Sequence, residues 1–238
     1  MHKAIIIGAS SGIGRELAKV LAKNGYSLGL AGRRIDLLLS LQQEVAASSF
    51  TKQIDVSQTS RAMHLLQELI HQMNGVDLVV ISSGIGFINT GLEWEKEKAT
   101  ISVNVTGFAA MANVAMEHFM TQGSGHLVGI SSIAALRGSE GSPAYSASKA
   151  FVSNYLEGLR KKVVKLQLPI TVTEIMPGFV NTAMAKGEGL FWVAPAEKAA
   201  QQIFKAIRSR KNHACVTKRW RAVAWLLKVL PDFIYLRI

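Results

Sequence analysis

Short apolar runs alternate with longer stretches of helical period along most of the chain. The runs predict strands over residues 4–8, 27–31, 50–55, 76–82, 126–131, 170–176 and 213–216. Helical periodicity predicts helices opening near Gly12, Arg34, Ser57, Glu93, Tyr145 and Pro195. Strands in alternation with helices build βαβ units, so the expected fold is α/β: three layers, with a doubly wound parallel sheet of about seven strands between helices. No internal repeat, low-complexity tract or linker divides the chain, and 238 residues fit a single domain. The expected organisation is one α/β domain over residues 1–217 followed by a basic tail, 218–238.

Composition narrows the classes. Apolar residues make up 49% and charged residues 18%, enough to fill a core and too little charge for a disordered chain. Cys215 is the single cysteine and cannot form an internal disulfide, and the six histidines have no metal-ligand spacing, so no metal is expected. The net charge of +11 is concentrated near the end, where the residues from Lys205 onward carry +8. Basicity confined to a tail does not make a docking face, and nucleic acid is not an expected partner. The first residues lack a signal-peptide hydrophobic run, and the longest uncharged stretch, 99–116, is too polar to face lipid, so the expectation is a cytosolic chain.

Two places carry candidate chemistry. The first strand runs into Gly8-Ala9-Ser10-Ser11-Gly12-Ile13-Gly14 and then an amphipathic stretch. Glycines there let the backbone turn sharply beside a pyrophosphate, whose charge meets the N–H groups and positive end of the next helix. A plain turn is the bland alternative. The same residues also satisfy G-x-S-x-G, but that hydrolase elbow needs earlier strands to supply oxyanion donors, and nothing precedes residue 4. The second strand ends in Ala31-Gly32-Arg33-Arg34 with no carboxylate, which favours NADP over NAD. Arg33 is the preferred partner of the extra phosphate, Arg34 the alternative, and solvated helix-start arginines the bland reading.

The second place is Tyr145-Ser146-Ala147-Ser148-Lys149, which puts Tyr145 and Lys149 at i and i+4 on one helix face. Bringing a phenol from about 10 to about 7 requires roughly 4 kcal/mol. An ammonium at ~4 Å supplies about that at an effective dielectric near 20, so the pair suffices for a phenolic acid and base at neutral pH.

Taken together, the glycine turn, Ser131-Ser132 ending the fifth strand, Tyr145 thirteen residues later, Lys149, and Pro177-Gly178 after the sixth strand resemble the short-chain dehydrogenase/reductase family, through about residue 205. The resemblance implies a Rossmann-type fold and hydride transfer between a nicotinamide and a ketone or secondary alcohol. It implies that Tyr145 is the general acid/base and that Lys149 holds the nicotinamide ribose and lowers the Tyr145 pKa. Ser132, rather than the adjacent Ser131, would bond the substrate oxygen, and Asn104 would organise a water relay. Asp55 and Val56 match the adenine-contacting pair, and Pro177, Gly178, Val180 and Thr182 match the loop that meets the nicotinamide amide. The chain departs from the family at Ile7, usually a threonine or serine, and at Ile81-Ser82-Ser83-Gly84, usually Asn-Asn-Ala-Gly, where Ser83 and Gly84 would still border the cofactor. It also implies a homodimer or homotetramer.

Substrate loops are expected over residues 85–94, 133–143 and 178–195, made apolar by Phe87, Ile88, Leu136, Met184, Leu190, Phe191 and Trp192. Gly187 and Gly189 suggest a lid. In the tail, Trp220, Val223, Leu227 and Leu230 project together opposite Lys218, Arg221 and Lys228, with Trp225 and Val229 interrupting the polar side. Such a helix suits peripheral contact with an anionic membrane, its own core or a partner subunit, and in the first case a lipid-linked substrate. The alternatives to an NADP-dependent reductase are an NAD-linked alcohol dehydrogenase and a catalytically silent dinucleotide-binding or membrane-interaction protein.

Overall fold

The computed structural model describes residues 2–184 and 191–237. Seven parallel strands form one sheet: β1 (Lys3–Ile7), β2 (Ser27–Gly32), β3 (Ser49–Gln53), β4 (Leu78–Ile81), β5 (Gly125–Ile130), β6 (Ile170–Pro177) and β7 (His213–Val216), in the order β3-β2-β1-β4-β5-β6-β7. The chain winds outward from β1 to β3, then returns to β4 and winds the other way. The crevice at the carboxyl ends of β1 and β4 is therefore the switch point where such sheets bind ligands.

Alternating side chains explain the three layers. Ile5 and Ile7 of β1 point to one face, with Val79, Ile81 and Leu127, and are covered by α3 (Thr59–Gln72), α5 (Phe108–Gln122) and α6 (Pro143–Lys165). Ala4 and Ile6 point to the other face, with Leu30, Val80 and Val128, under α1 (Gly12–Lys23), α2 (Ile35–Glu44) and α7 (Ala196–Arg208). The expected strands and helices are all present, with shifted ends. Strand β3 stops at Gln53, two residues before Asp55, because Asp55 leaves the ladder to accept bonds from the Ser57 amide (3.0 Å) and hydroxyl (2.7 Å) in the turn that opens α3. Helix α6 starts at Pro143 rather than Tyr145, a proline in the first turn, where its missing N–H costs nothing.

The uncharged stretch lies in one continuous helical segment: α4 (Trp94–Ile101), a π-helical stretch (Ser102–Gly107), and α5. By length and composition Trp94–Gln122 could cross a membrane. Its Phe108, Met111, Ala112, Ala115 and Phe119 are instead buried in the core beneath the sheet.

A buried histidine makes the fold acid-sensitive. His126 on β5 meets Thr173 Oγ1 at 2.8 Å, and burial pushes its pKa down to about 4. The unfolded chain, near 6.5, then binds the extra proton between pH 6.5 and 4, so stability is whole above that window and falls through it, by about 3 kcal/mol from this group. Urea titrations at pH 7 and pH 4.5 should show this loss in the wild-type and a smaller one in His126→Gln. Equal acid losses in the two proteins would refute it.

Candidate active site

The turn after β1 is shaped by its glycines. Gly8 has φ +95°, and a Cβ there would fall 2.6 Å from the Ser83 amide nitrogen. A Cβ on Gly14 would fall 2.3 Å from the Gly8 carbonyl oxygen, so only glycine lets α1 close onto the strand. Gly12 lies under the Thr182 methyl, and this contact brings the loop after β6 over the turn. Ser10, Ser11 and Ile13 thus flank an open helix N-terminus, with Ser11 as N-cap and its side chain making no capping bond. Across the crevice, Ser83 Oγ is buried without a hydrogen-bond partner among the described residues. A cradle that side chains would fill and a buried hydroxyl left unpaired fit the phosphates and ribose of a dinucleotide.

The two arginines separate. Arg34 Nη2 donates to Ser10 Oγ (2.9 Å) and Ser11 Oγ (2.7 Å), which ties its guanidinium to the glycine turn. Arg33, whose carbonyl accepts from Gln53 Nε2 at 2.9 Å, borders a cavity of about 220 Å³ shared with Asp55 and Arg61. Arg61 was not singled out in the sequence, because a lone helix arginine carries no motif. Val56 is buried in the core beside that cavity, and its carbonyl would lie 2.7 Å from a Cβ on Gly107.

Beyond β4, Asn104 holds the loop backbone. Its Oδ1 accepts from the Ile85 amide (2.9 Å), and its Nδ2 donates to the Ile85 carbonyl (2.7 Å) and to Ser148 Oγ (3.0 Å). The side chain comes from the π-helical stretch, the kind of local widening that often marks a functional position. Gly84 faces both it and Lys149: a Cβ there would stand 3.4 Å from Asn104 Oδ1 and 3.3 Å from Lys149 Nζ. Ser148 was not anticipated in this role.

The adjacent serines after β5 point in opposite directions, as extended residues must. Ser131 is buried and donates to Glu174 Oε1 at 2.6 Å, and Glu174 Oε2 in turn meets His213 Nδ1 at 2.9 Å. Ser132 faces the other side, where its Oγ caps the short 3₁₀ turn Ile133–Leu136 and adjoins the Tyr145 hydroxyl. Ser131 is thus committed to the interior, and Ser132 is the serine on the Tyr145 side.

Tyr145 and Lys149 share one face of α6, the lysine buried and the tyrosine half-buried. The ammonium lies 5.7 Å from the Tyr145 ring centroid and donates to the Ile130 carbonyl at 3.0 Å. Burial pushes the Lys149 pKa down to about 8. The expectation that Lys149 lowers the Tyr145 pKa needs correction here. Burial is the larger influence and holds the phenol above its ordinary value, with the Ser132 hydroxyl opposing it. The reason is geometric: the ammonium sits over the ring, and both groups have lost solvent.

The loop after β6 is pinned at its neck. Val180 bridges to Ala194, and the Asn181 amide donates to the Ala194 carbonyl at 2.8 Å. Pro177 ends β6, and Gly178 lies so close under the Trp220 indole that a Cβ would fall 2.1 Å from the ring. Phe179 and Phe191 pack on the same indole, with centroids at 5.2 and 5.1 Å. The expected lid glycines, Gly187 and Gly189, and Leu190 lie outside the described residues. Trp220, read from the sequence as part of a tail, is thus a buried support beneath the loop that follows β6.

That tail forms α8 (Trp220–Val229) and α9 (Asp232–Tyr235). Trp220 and Ala224 are buried against Ile133 and Met176, with Val223 and Leu227 beside them. Arg137 fastens it, donating from Nε to the Leu227 carbonyl at 2.9 Å and from Nη1 to Asp232 Oδ1 at 2.6 Å, and also bonding the Leu230 carbonyl. The apolar face found in the sequence therefore docks on the body of the protein.

The comparisons agree with this arrangement. A family model described as short chain dehydrogenase matches residues 2–190. An uncharacterised oxidoreductase of Mycobacterium tuberculosis is 33% identical over 97% of this chain and 94% of its own length. One from Myxococcus xanthus is 40% identical over 76% and 73%. Among solved structures, a Burkholderia phymatum short-chain dehydrogenase/reductase in complex with NAD superposes with TM-score 0.84 at 22% identity, covering 94% of this chain and 92% of that one. A Sphingobium yanoikuyae short-chain dehydrogenase in complex with NADPH gives 0.80 at 22%, over 98% and 97%. With the glycine turn and the grouping of Asn104, Ser132, Tyr145 and Lys149 in place, the chain belongs to the short-chain dehydrogenase/reductase family of NAD(P)-dependent oxidoreductases.

Proposed function

We propose that this protein is an NADP-dependent reductase of an apolar ketone. The observation that carries the reading is the guanidinium of Arg34, at the start of α2, tied to Ser10 and Ser11 of the glycine turn. It would meet a ribose phosphate where an NAD site uses a carboxylate. The Burkholderia relative was solved with NAD and the Sphingobium relative with NADPH, so the fold accommodates either.

A bound nicotinamide would supply the hydride. The chain's own groups do the rest. Tyr145, a phenol that burial holds above its ordinary pKa, is protonated at neutral pH and is set to give a proton to a substrate oxygen. Ser132, beside that hydroxyl, would donate to the same oxygen as charge develops. Lys149 would hold the ribose, and Asn104 fixes the loop that borders it. Phe179 and the exposed Phe191, backed by the buried Trp220, make the loop after β6 apolar, which supports an apolar or lipid-linked carbonyl compound.

The cofactor choice is tested with Arg34→Asp. A hydrogen bond to a charged group contributes about 1.5–3 kcal/mol, so the preference for NADPH over NADH should drop roughly 10- to 100-fold in fluorescence titrations. An unchanged ratio of the two dissociation constants would remove the basis for the NADP assignment.

A further inference from the structure

Helix α8 is apolar on two faces, and among the described residues one of them is covered. Trp220, Val223, Ala224 and Leu227 turn inward onto the body of the protein. At 100° per residue, Ala222, Trp225, Leu226 and Val229 form a second strip on the outward side. Trp225 is 67% exposed, Leu226 51% and Val229 54%. The strip continues past the turn at Pro231 into Phe233 and Leu236, which are 65% and 82% exposed.

Charge flanks it. Arg221 and Lys228 lie along one edge of the strip and Arg219 along the other, all exposed. The acid of this segment, Asp232, is paired with Arg137. From Lys205 onward the chain carries +8. An exposed apolar strip with Arg221 and Lys228 on one edge and Arg219 on the other is the arrangement of a helix lying flat in an anionic interface, with rings and aliphatic groups among the acyl chains and cations at the headgroups.

We propose that the outer face of α8, continued by α9, docks this protein on an anionic bilayer. A second copy of the chain fits this strip less well, because a two-fold contact would set Arg219, Arg221 and Lys228 against like charges. The position of the helix gives the docking a use. Helix α8 follows β7 at the carboxyl edge of the sheet, and Trp192 and Phe191 of the substrate loop pack on Trp220 with centroids at 6.2 and 5.1 Å. The bilayer would lie beside the mouth of the site. The proposal rests on the tail alone and holds whichever nicotinamide cofactor is used.

The test is co-sedimentation of the full chain with phosphatidylcholine vesicles, with and without phosphatidylglycerol. Binding is expected only with the anionic lipid, weakening as salt is raised. The variant Trp225→Gln/Val229→Gln should bind at least about tenfold more weakly, and Arg221→Glu/Lys228→Glu should bind weakly too, both with the wild-type melting temperature. No binding by the wild-type, equal binding to neutral vesicles, or undiminished binding by the first variant at an unchanged melting temperature would overturn the proposal. So would lipid-free sedimentation in which that variant alone loses a dimer, since the strip would then belong to a second copy.

Discussion

Tyr145→Phe should reduce turnover by about 10²- to 10⁴-fold while leaving cofactor binding within a few-fold of wild-type. The substitution removes one oxygen. The ring stays, and it is the ring that packs on the loop after β4, where a Cβ on Gly86 would fall 2.8 Å from it. The fold and the cofactor cleft therefore persist, and the loss falls on proton transfer. Ser132→Ala should cost less, since Ser132 assists the same oxygen without carrying the transferred proton. The double variant should be little worse than Tyr145→Phe alone, because residues acting as a unit are not additive. Steady-state rates with a ketone panel, paired with fluorescence titration of NADPH, separate the two quantities. Turnover surviving in Tyr145→Phe would end the catalytic assignment of the phenol, and parallel loss of cofactor binding would turn it into a structural residue.

What was legible in the sequence follows from which physical requirements leave a residue-type signature. A backbone at positive φ, or one with no room for a Cβ, calls for glycine, so Gly8 on both grounds and Gly14 on the second announce the turn. Helical period places Tyr145 and Lys149 on one face from spacing alone. Strand alternation, once the end of β5 is known, sends Ser131 and Ser132 to opposite sides, but the side facing Tyr145 depends on how α6 packs. The partner that commits Ser131 to the interior, Glu174, comes from the neighbouring strand β6, 43 residues later.

Other features leave no such trace. The π-helical stretch that presents Asn104 is a change in hydrogen-bond register, invisible to hydrophobic periodicity. Arg33 and Arg34 are equivalent as residue types, and only the start of α2 decides which one turns toward Ser10 and Ser11. In the tail, Trp225 and Val229 look like interruptions of a polar face when a single docking surface is assumed. With the inner face seated on Ile133 and Met176, they become a second surface. The direction of the Tyr145 pKa was also misjudged from spacing, because i and i+4 fix proximity but not desolvation.

Lys149→Met should abolish activity and make the protein more stable at neutral pH. Lys149 is 5% exposed, and the hydrogen bond of its ammonium among the described residues goes to the Ile130 carbonyl. Burial lowers its pKa from 10.5 to about 8, which corresponds to about 3 kcal/mol of folding free energy opposed by the charged form. The sign follows from proton counting. Between pH 8 and 10.5 the unfolded chain holds a proton that the native protein has released, so this group makes wild-type stability rise with pH across that window. Below pH 8 the whole cost is present. Methionine keeps the length and apolar stem and removes the charge. It also leaves the Ile130 carbonyl without its donor, which costs about 1 kcal/mol. The net gain of about 2 kcal/mol should raise Tm by about 4–8 °C at pH 7, and the advantage should shrink as pH approaches 10. Calorimetry of both proteins across that range measures it. A Tm at pH 7 equal to or below that of wild-type, or a difference independent of pH, would show that the lysine is held comfortably and that its environment carries no strain. The expected outcome is the reverse: a charge placed at a stability cost, as active sites commonly trade stability for function.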